Sequence, residues 1–324
     1  MELEEPFSEE EVKEAIWSCD RNKSPGPDGY NFGFLKTCWE TLREDILNFL
    51  HEFHGNAILP KAITASFLAL IPKSDSPQEL NDYIPICLIG SLYKIVAKLL
   101  AKRIKKVIGK LISDCQTAFV PGRQILDGVL VINELIDLAK RKRKECLLLK
   151  VDFEKAYDFV NWKYLKYMLK RMGFGQRWLA WMEACVFISS MSVLVNGSPT
   201  EDFQVGRGLR QGDPLSPFLF LIAAEGLTGL ARNAVDLGEF KEFKVAENVN
   251  FTFYNLQMTQ YLWVKVHGKT YGALNPFCVA LNWSHDYALI SSRASCMVSI
   301  WRKDLCRQLH PFCLVALTQC LLSF

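Results

Sequence analysis

Ser8 is followed by three glutamates and then by Val12, Ala15 and Ile16 at helical spacing. Ser8 with Glu11 has the form of a capping box, the hydroxyl accepting from the helix's third amide while the carboxylate reaches back, so a helix is predicted through Ile16 that stops before Lys23. Lys23-Ser24-Pro25-Gly26-Pro27-Asp28-Gly29 can be neither helix nor central strand, because two prolines fix the backbone and two glycines release it. It is a shaped loop. A second helix is predicted from Phe34 to Phe53, and Phe67 to Ile71 reads as a short buried strand ending at Pro72-Lys73.

Between Ser91 and Lys110, Leu92, Ile95, Val96, Leu99, Leu100, Ile104, Val107 and Ile108 recur at helical spacing and define one buried face. The opposite face carries Lys94, Lys98, Lys102, Arg103, Lys105, Lys106 and Lys110 with no acid among them, and Lys140 to Lys144 is an unbroken basic run. A solvated helix face is the ordinary meaning of such charge, and a track for phosphate backbone is the sharper one. Further on, Leu147 to Val151 is a short apolar run of strand type that delivers Asp152 at its end, with Phe153 to Asp158 predicted to enter a helix. A carboxylate at a strand terminus can hold magnesium, a hard cation that wants oxygen ligands, beside a substrate phosphate. An aspartate after a strand is also a common cap or turn residue, the plain reading of Asp158. Arg207 to Pro217 is a turn-rich loop before an apolar helix from Phe218 to Leu230. Its glycines let backbone approach a ligand closely, while Arg210 and Gln211 can address phosphate or base.

Composition narrows the classes. With 324 residues, half of them apolar and 23% charged, the chain is a folded protein of one or two domains, which excludes disordered, collagen-like and membrane-bundle chains. A net charge of +3 is too mild to announce a polyanion partner, so any nucleic-acid contact must come from local patches. Eleven cysteines without a C-x-x-C pair argue against a zinc ribbon and a secreted disulfide framework, leaving reduced, mostly buried thiols. Cys306, His310 and Cys313 lack a second ligand pair, so no metal site is expected there. The acidic N-terminus is no signal peptide, and the uncharged end from Gln308 to Phe324 is shorter than the ~20 apolar residues a spanning helix needs. An intracellular product, nuclear or cytoplasmic, with no membrane and no protein partner is expected. The charge is unevenly spread: the first 250 residues hold 32 basic and 33 acidic side chains, the last 74 only 8 charged ones, and no Glu follows Glu247.

The motifs taken together resemble the reverse transcriptase of plant non-LTR retrotransposons of the long interspersed type, from about Phe7 to Asn250. Lys23 to Gly29 resembles that family's leading loop, Leu70 to Lys73 and Asp82 to Ile86 its finger segments, and Ala118 to Gln124 the next finger motif. Val151 to Asp158 resembles the first catalytic motif, and Arg210 to Pro217 the template- and nucleotide-positioning motif, the most family-specific string in the chain. The resemblance implies an α+β right-hand polymerase: fingers over 1–145, a partial palm over 146–250 made of a small antiparallel sheet backed by helices, and no thumb. It implies two-metal nucleotidyl transfer on an RNA template, a DNA primer and deoxynucleoside triphosphates, with two Mg2+ ions about 3.5–4 Å apart. Asp152 would bind both ions with help from the Phe153 carbonyl, and Tyr157 would lie under the incoming sugar. Lys73 and Arg123 would hold triphosphate, Gln211 and Gly212 would line the nucleotide pocket, and Lys98, Lys102, Arg103, Lys105 and Arg210 would touch nucleic acid.

Two departures matter. The family reads Tyr-Arg-Pro-Ile where this chain has Ile84, and a hydrocarbon cannot neutralise triphosphate charge, so nucleotide affinity should suffer. The family also places Ala-Asp-Asp on a hairpin shortly after 240–250, whereas no Asp lies between Asp236 and Asp286. Back-translation of Leu256-Gln257-Met258-Thr259-Gln260, read from the third nucleotide of the leucine codon, permits Ala-Asp-Asp-Thr. The same shift over 273–284 permits a charged amphipathic segment. Residues 251–324 therefore read as a frame-shifted tail, which accounts for the change of composition near Asn250. One carboxylate cannot retain two dications whose repulsion several anionic oxygens must offset, so an inactive copy is expected, with uncovered apolar surface and poor solubility. No endonuclease is expected ahead of the polymerase-like region. A non-catalytic nucleic-acid-binding remnant is the alternative, and an intron-encoded maturase a third class.

Overall fold

The computed structural model describes residues 2–143, 147–153, 156–238, 243–246, 249–251, 253–256, 259–264 and 294–300. The Cys306, His310 and Cys313 group, the apolar end 308–324, the segment 273–284, Lys144 and residues 257–258 lie outside them. In chain order the elements are helices α1 (Glu9–Trp17), α2 (Phe32–Thr37), α3 (Trp39–Asn56) and α4 (Lys61–Thr64), strands β1 (Ser66–Pro72) and β2 (Tyr83–Ile89), helices α5 (Ser91–Leu111) and α6 (Ile125–Arg141), and strand β3 (Leu147–Phe153). Next come α7 (Trp162–Arg171), α8 (Gln176–Met182), a π-helical turn (Glu183–Phe187), β4 (Ser190–Val195), β5 (Ser198–Pro199), β6 (Phe203–Gln204) and α9 (Ser216–Asp236). Strands β7 (Phe243–Ala246), β8 (Val249–Phe251), β9 (Phe253–Leu256), β10 (Thr259–Val264) and β11 (Ala294–Ile300) follow.

The chain divides into two compact units, 1–107 with 165–220 and 108–164 with 221–324. In the first, a mixed sheet runs β2-β1-β4-β5, with β6 also on β4; β1 and β2 form an antiparallel hairpin and β1 pairs with β4 in parallel. Its buried side chains include Val12, Ala15 and Ile16 of α1, Leu50 and Phe53 of α3, Val96, Leu99 and Leu100 of α5, and Trp178 and Trp181 of α8. In the second, a wholly antiparallel sheet runs β11-β3-β10-β9, and β7 pairs with β8 apart from it. Ile132, Leu135 and Ala139 of α6 form a buried cluster there with Cys115 and Val245. The other side of α6 leaves Ile125, Leu126, Val129 and Leu130 exposed, the kind of apolar surface that favours association. Among the described residues no helix is long and apolar enough to cross a membrane.

Most predicted elements are present, and the exceptions have local causes. Ser8 Oγ accepts from the Glu11 amide as the capping box requires, but the Glu11 carboxylate is drawn away to Arg103. The helix expected over Phe34–Phe53 is two helices. Thr37 donates its hydroxyl back to the Gly33 carbonyl, an interaction that bends helices, and the chain breaks at Cys38 before α3 begins. Residues 156–159 form a turn rather than the start of a helix, and α7 begins only after Asn161, whose side chain accepts from the Tyr164 amide.

The Lys23–Gly29 loop is a fastener for α5. The Asp28 carboxylate accepts from the Ser91 N–H at the positive end of that helix, and Gly26 lies so close to β2 that an added Cβ would fall 2.3 Å from the Ile89 carbonyl carbon and 2.5 Å from the Gly90 nitrogen. Backbone cannot yield as a side chain can. Gly26→Ala is expected to destabilise the protein by roughly 1–3 kcal/mol, read as a lower urea midpoint at unchanged slope.

Candidate active site

Asp152 is the penultimate residue of β3, an interior strand of the antiparallel sheet. Its register partners are Thr259 on β10 and Ser295 on β11. Strands β9 and β10 form a tight antiparallel pair in which Leu256 faces Thr259. The two residues between those strands, Gln257 and Met258, fall at the positions where the shifted reading frame permits Asp-Asp. Strand β10 thus pairs on one side with β9 and on the other with the strand that carries Asp152. Among the described residues no three His, Cys, Asp or Glu side chains are grouped to hold an ion. One carboxylate flanked by hydroxyl residues is a donor set that does not fit two closely spaced dications.

The Arg210–Pro217 motif is organised by a buried cluster in the first unit. Arg210 is 7% exposed and donates to the Cys185 carbonyl at 3.2 Å and the Thr64 carbonyl at 2.9 Å. Its guanidinium lies 3.8 Å from the Asp213 carboxylate and 4.7 Å from the Tyr93 ring centre. The Tyr93 hydroxyl donates to Asp213 at 2.5 Å, the Leu215 amide donates to the other Asp213 oxygen, and Ser216 donates to the Arg210 carbonyl. Burial holds the Asp213 carboxyl above the ordinary carboxylate value against the pull of Arg210, and burial followed by the Asp213 charge pushes the Tyr93 phenol far up. Between the anchors Arg210 and Asp213, Gln211 and Gly212 lie along β2, where the Cys87 amide donates to the Gln211 carbonyl at 2.9 Å. Gly212 has φ +100°, and a Cβ there would sit 3.2 Å from the Cys87 carbonyl, so both conformation and space demand glycine. The Gln211 amide is half-exposed and makes no hydrogen bond among the described residues. Beside this loop the β1–β2 hairpin exposes Ile71, Ile84 and Ile86, an apolar surface where the family resemblance expects an arginine.

Several expected cations are occupied elsewhere. Arg210 anchors its own loop and is too buried to touch phosphate or base. Arg103, 4% exposed, forks onto Glu11 at 2.7 and 3.0 Å and donates to the Leu3, Glu5 and Pro6 carbonyls, with its guanidinium 4.3 Å from the Phe7 ring centre. It fastens the N-terminal segment rather than nucleic acid. Arg123 donates to the Gly109, Ile112, Ser113 and Gln116 carbonyls and to Asp114, which makes it the cap of the C-terminal end of α5 and leaves its donors committed away from triphosphate. Lys102 pairs with Glu14 at 3.1 Å. Lys98 is half-exposed and Lys105 exposed. Lys73 is exposed at the end of β1, its ammonium 2.7 Å from the Asn81 carbonyl, an exchangeable partner. Tyr157 is half-buried in the turn after β3, and burial raises its phenol. Tyr93 and Asp213 were not singled out in the sequence. The opposite charges of Arg210 and Asp213, three apart and bracketing a glycine, were the available signal.

A statistical profile of the family described as reverse transcriptase (RNA-dependent DNA polymerase) matches residues 71–261, from the tip of β1 through the first half of β10. The chain is 34% identical over 230 residues to a 149 kDa protein of transposon TX1 from Xenopus laevis, covering 71% of this chain and 18% of that protein. It is 28% identical over 222 residues to a Pol polyprotein of retrotransposable element R2 from Popillia japonica, covering 66% of this chain and 29% of that one. This chain thus spans less than a third of either relative. Among solved structures, telomerase of Candida albicans, in complex with a fragment of telomeric RNA, superposes with a TM-score of 0.50 at 13% identity over 83% of this chain and 48% of its own, a likeness of fold. The matched span takes in Asp152, the Arg210–Pro217 loop and the β9–β10 pair, and with it the chain belongs to the reverse transcriptase family, of the kind carried by non-LTR retrotransposons.

Proposed function

We propose that the chain comprises the fingers and part of the palm of an RNA-directed DNA polymerase from a plant non-LTR retrotransposon, and that nucleotide joining has been lost in this copy. The observation that carries the reading is the register around Asp152: its partners on the flanking strands are Thr259 and Ser295, and the two residues between β9 and β10, where the family carries its further carboxylates, are Gln257 and Met258. In an intact relative Mg2+ would supply charge neutralisation at the transferred phosphate. In this chain Asp152 and the Phe153 carbonyl are what remains of that set. Lys73 would reach triphosphate by releasing the Asn81 carbonyl, Tyr157 would pack under the sugar, and the Gln211 amide with the Gly212 backbone would face the nucleotide.

Primer extension on an RNA template with a DNA primer, Mg2+ and deoxynucleotides is the test. Incorporation no greater than that of Asp152→Ala is expected; robust synthesis that Asp152→Ala removes would show an active copy. Gln257→Asp combined with Met258→Asp is expected to tighten Mn2+ binding at least tenfold, followed by paramagnetic relaxation of water, and the gain should vanish with Asp152→Ala.

The exposed lysines of α5 favour a second reading, retained nucleic-acid binding without chemistry, carried by Lys98, Lys105 and the adjacent Lys106. Lys105→Ala with Lys106→Ala should flatten the salt dependence of single-stranded RNA binding by about 0.7 logarithmic units for each phosphate no longer neutralised, whereas a change at Arg103 should leave the slope alone.

A further inference from the structure

The first unit contains a cavity of about 520 Å3, and none of its lining residues belongs to the Gln211–Gly212 loop. Its apolar walls come from Ile58 and Leu59 after α3, Leu179 of α8, and Ile188 beyond the π-helical turn. Lys166 and Lys170, one turn apart on α7, stand at its polar side. Lys166 is paired with Glu183, which also lines the cavity, and both are about 40% exposed. Lys170 is exposed, and its ammonium makes no hydrogen bond or ion pair among the described residues.

The volume lies within the range of small-molecule sites, and the π-helical turn on its wall is a rare conformation frequently found at functional sites. Two lysines against one glutamate leave the cavity with one uncompensated positive charge beside a hydrocarbon surface. A ligand with an apolar body and a single anionic head matches both: the body covers Ile58, Leu59, Leu179 and Ile188, and the head meets Lys170 without disturbing the Lys166–Glu183 pair. A neutral apolar molecule would leave the cation unanswered, and a cation would oppose it.

We propose that this cavity is a binding site for a small apolar monoanion, a carboxylate or sulfonate with a hydrocarbon or aryl body. The full-length chain should bind 8-anilinonaphthalene-1-sulfonate at a single saturable site with enhanced fluorescence, and octanoate should displace it while acetate and octylamine do not. Ala180→Trp, placed on the exposed side of α8 where the new ring fills the cavity, should abolish that binding. Lys170→Glu should weaken it at least tenfold with the circular dichroism spectrum unchanged, and it stands alone as the test if the tryptophan variant does not fold. The absence of saturable binding, wild-type affinity in the folded variants, or equal displacement by octylamine and octanoate would overturn the proposal.

Discussion

Replacing Arg210 by methionine is expected to destabilise the first unit by roughly 3–5 kcal/mol, the cost of leaving one member of a buried ion pair behind. The residue left is Asp213, buried beside Tyr93 and Cys185, while the Cys185 and Thr64 carbonyls lose charged donors. The loss should depend on pH. Burial already holds Asp213 above the ordinary carboxylate value, so its contribution to stability is fullest below the unfolded carboxylate pKa and declines as pH rises through the raised folded one. Without the guanidinium the folded value rises further, so the deficit of Arg210→Met should be larger at pH 8 than at pH 5 in urea titrations. Asp213→Asn should flatten that pH dependence. An Arg210→Met protein with near wild-type midpoints at both pH values would mean that the cluster does not hold the loop.

The second large effect is expected at Arg103. Arg103→Met removes a bidentate bond to Glu11 and the donors to three carbonyls of the N-terminal segment, and should cost about 3 kcal/mol, toward the lower end for buried pairs because Glu11 keeps some contact with water. The loosened segment includes Glu4, whose carboxylate accepts from the Trp178 amide at the start of α8, and Phe7, which packs against His54 and Trp181. Limited proteolysis should therefore cleave ahead of Glu9 in the variant at concentrations that spare the wild type. Arg103→Lys should rescue little, since a single ammonium cannot reproduce the fork on Glu11 or reach three carbonyls.

Arg210 and Arg103 carry charge that reads differently along the chain and in space. In the sequence Arg103 is one of seven cations on a helix, indistinguishable from Lys105, and only the fold reveals that one points into the N-terminal segment and the other into water. Arg123 shares the same ambiguity: it lies in the segment that resembles a finger motif, yet its guanidinium closes the end of α5. Glu11 shows the converse. Its capping-box spacing is genuine, but a buried arginine competes for the carboxylate more strongly than a backbone amide at an exposed helix end. The division between α2 and α3 escaped the periodicity because hydrophobic spacing continues across Cys38, while the interruption is a single residue.

Periodicity and local chemistry were enough to place α1, α5, the β1 strand, the Lys23–Gly29 loop, β3 with Asp152 near its end, and the apolar helix α9, since each depends on residues within a few turns of one another. The absence of aspartate between Asp236 and Asp286 was also visible in the sequence, because absence of a residue type needs no coordinates. Which strands flank Asp152, which arginines are spent on carbonyls, and how Tyr93, Arg210 and Asp213 meet across 120 residues were decided by tertiary structure. The physical reason is that a charged side chain takes the partner that burial makes cheapest to satisfy, and that partner is set by packing between segments far apart in the chain.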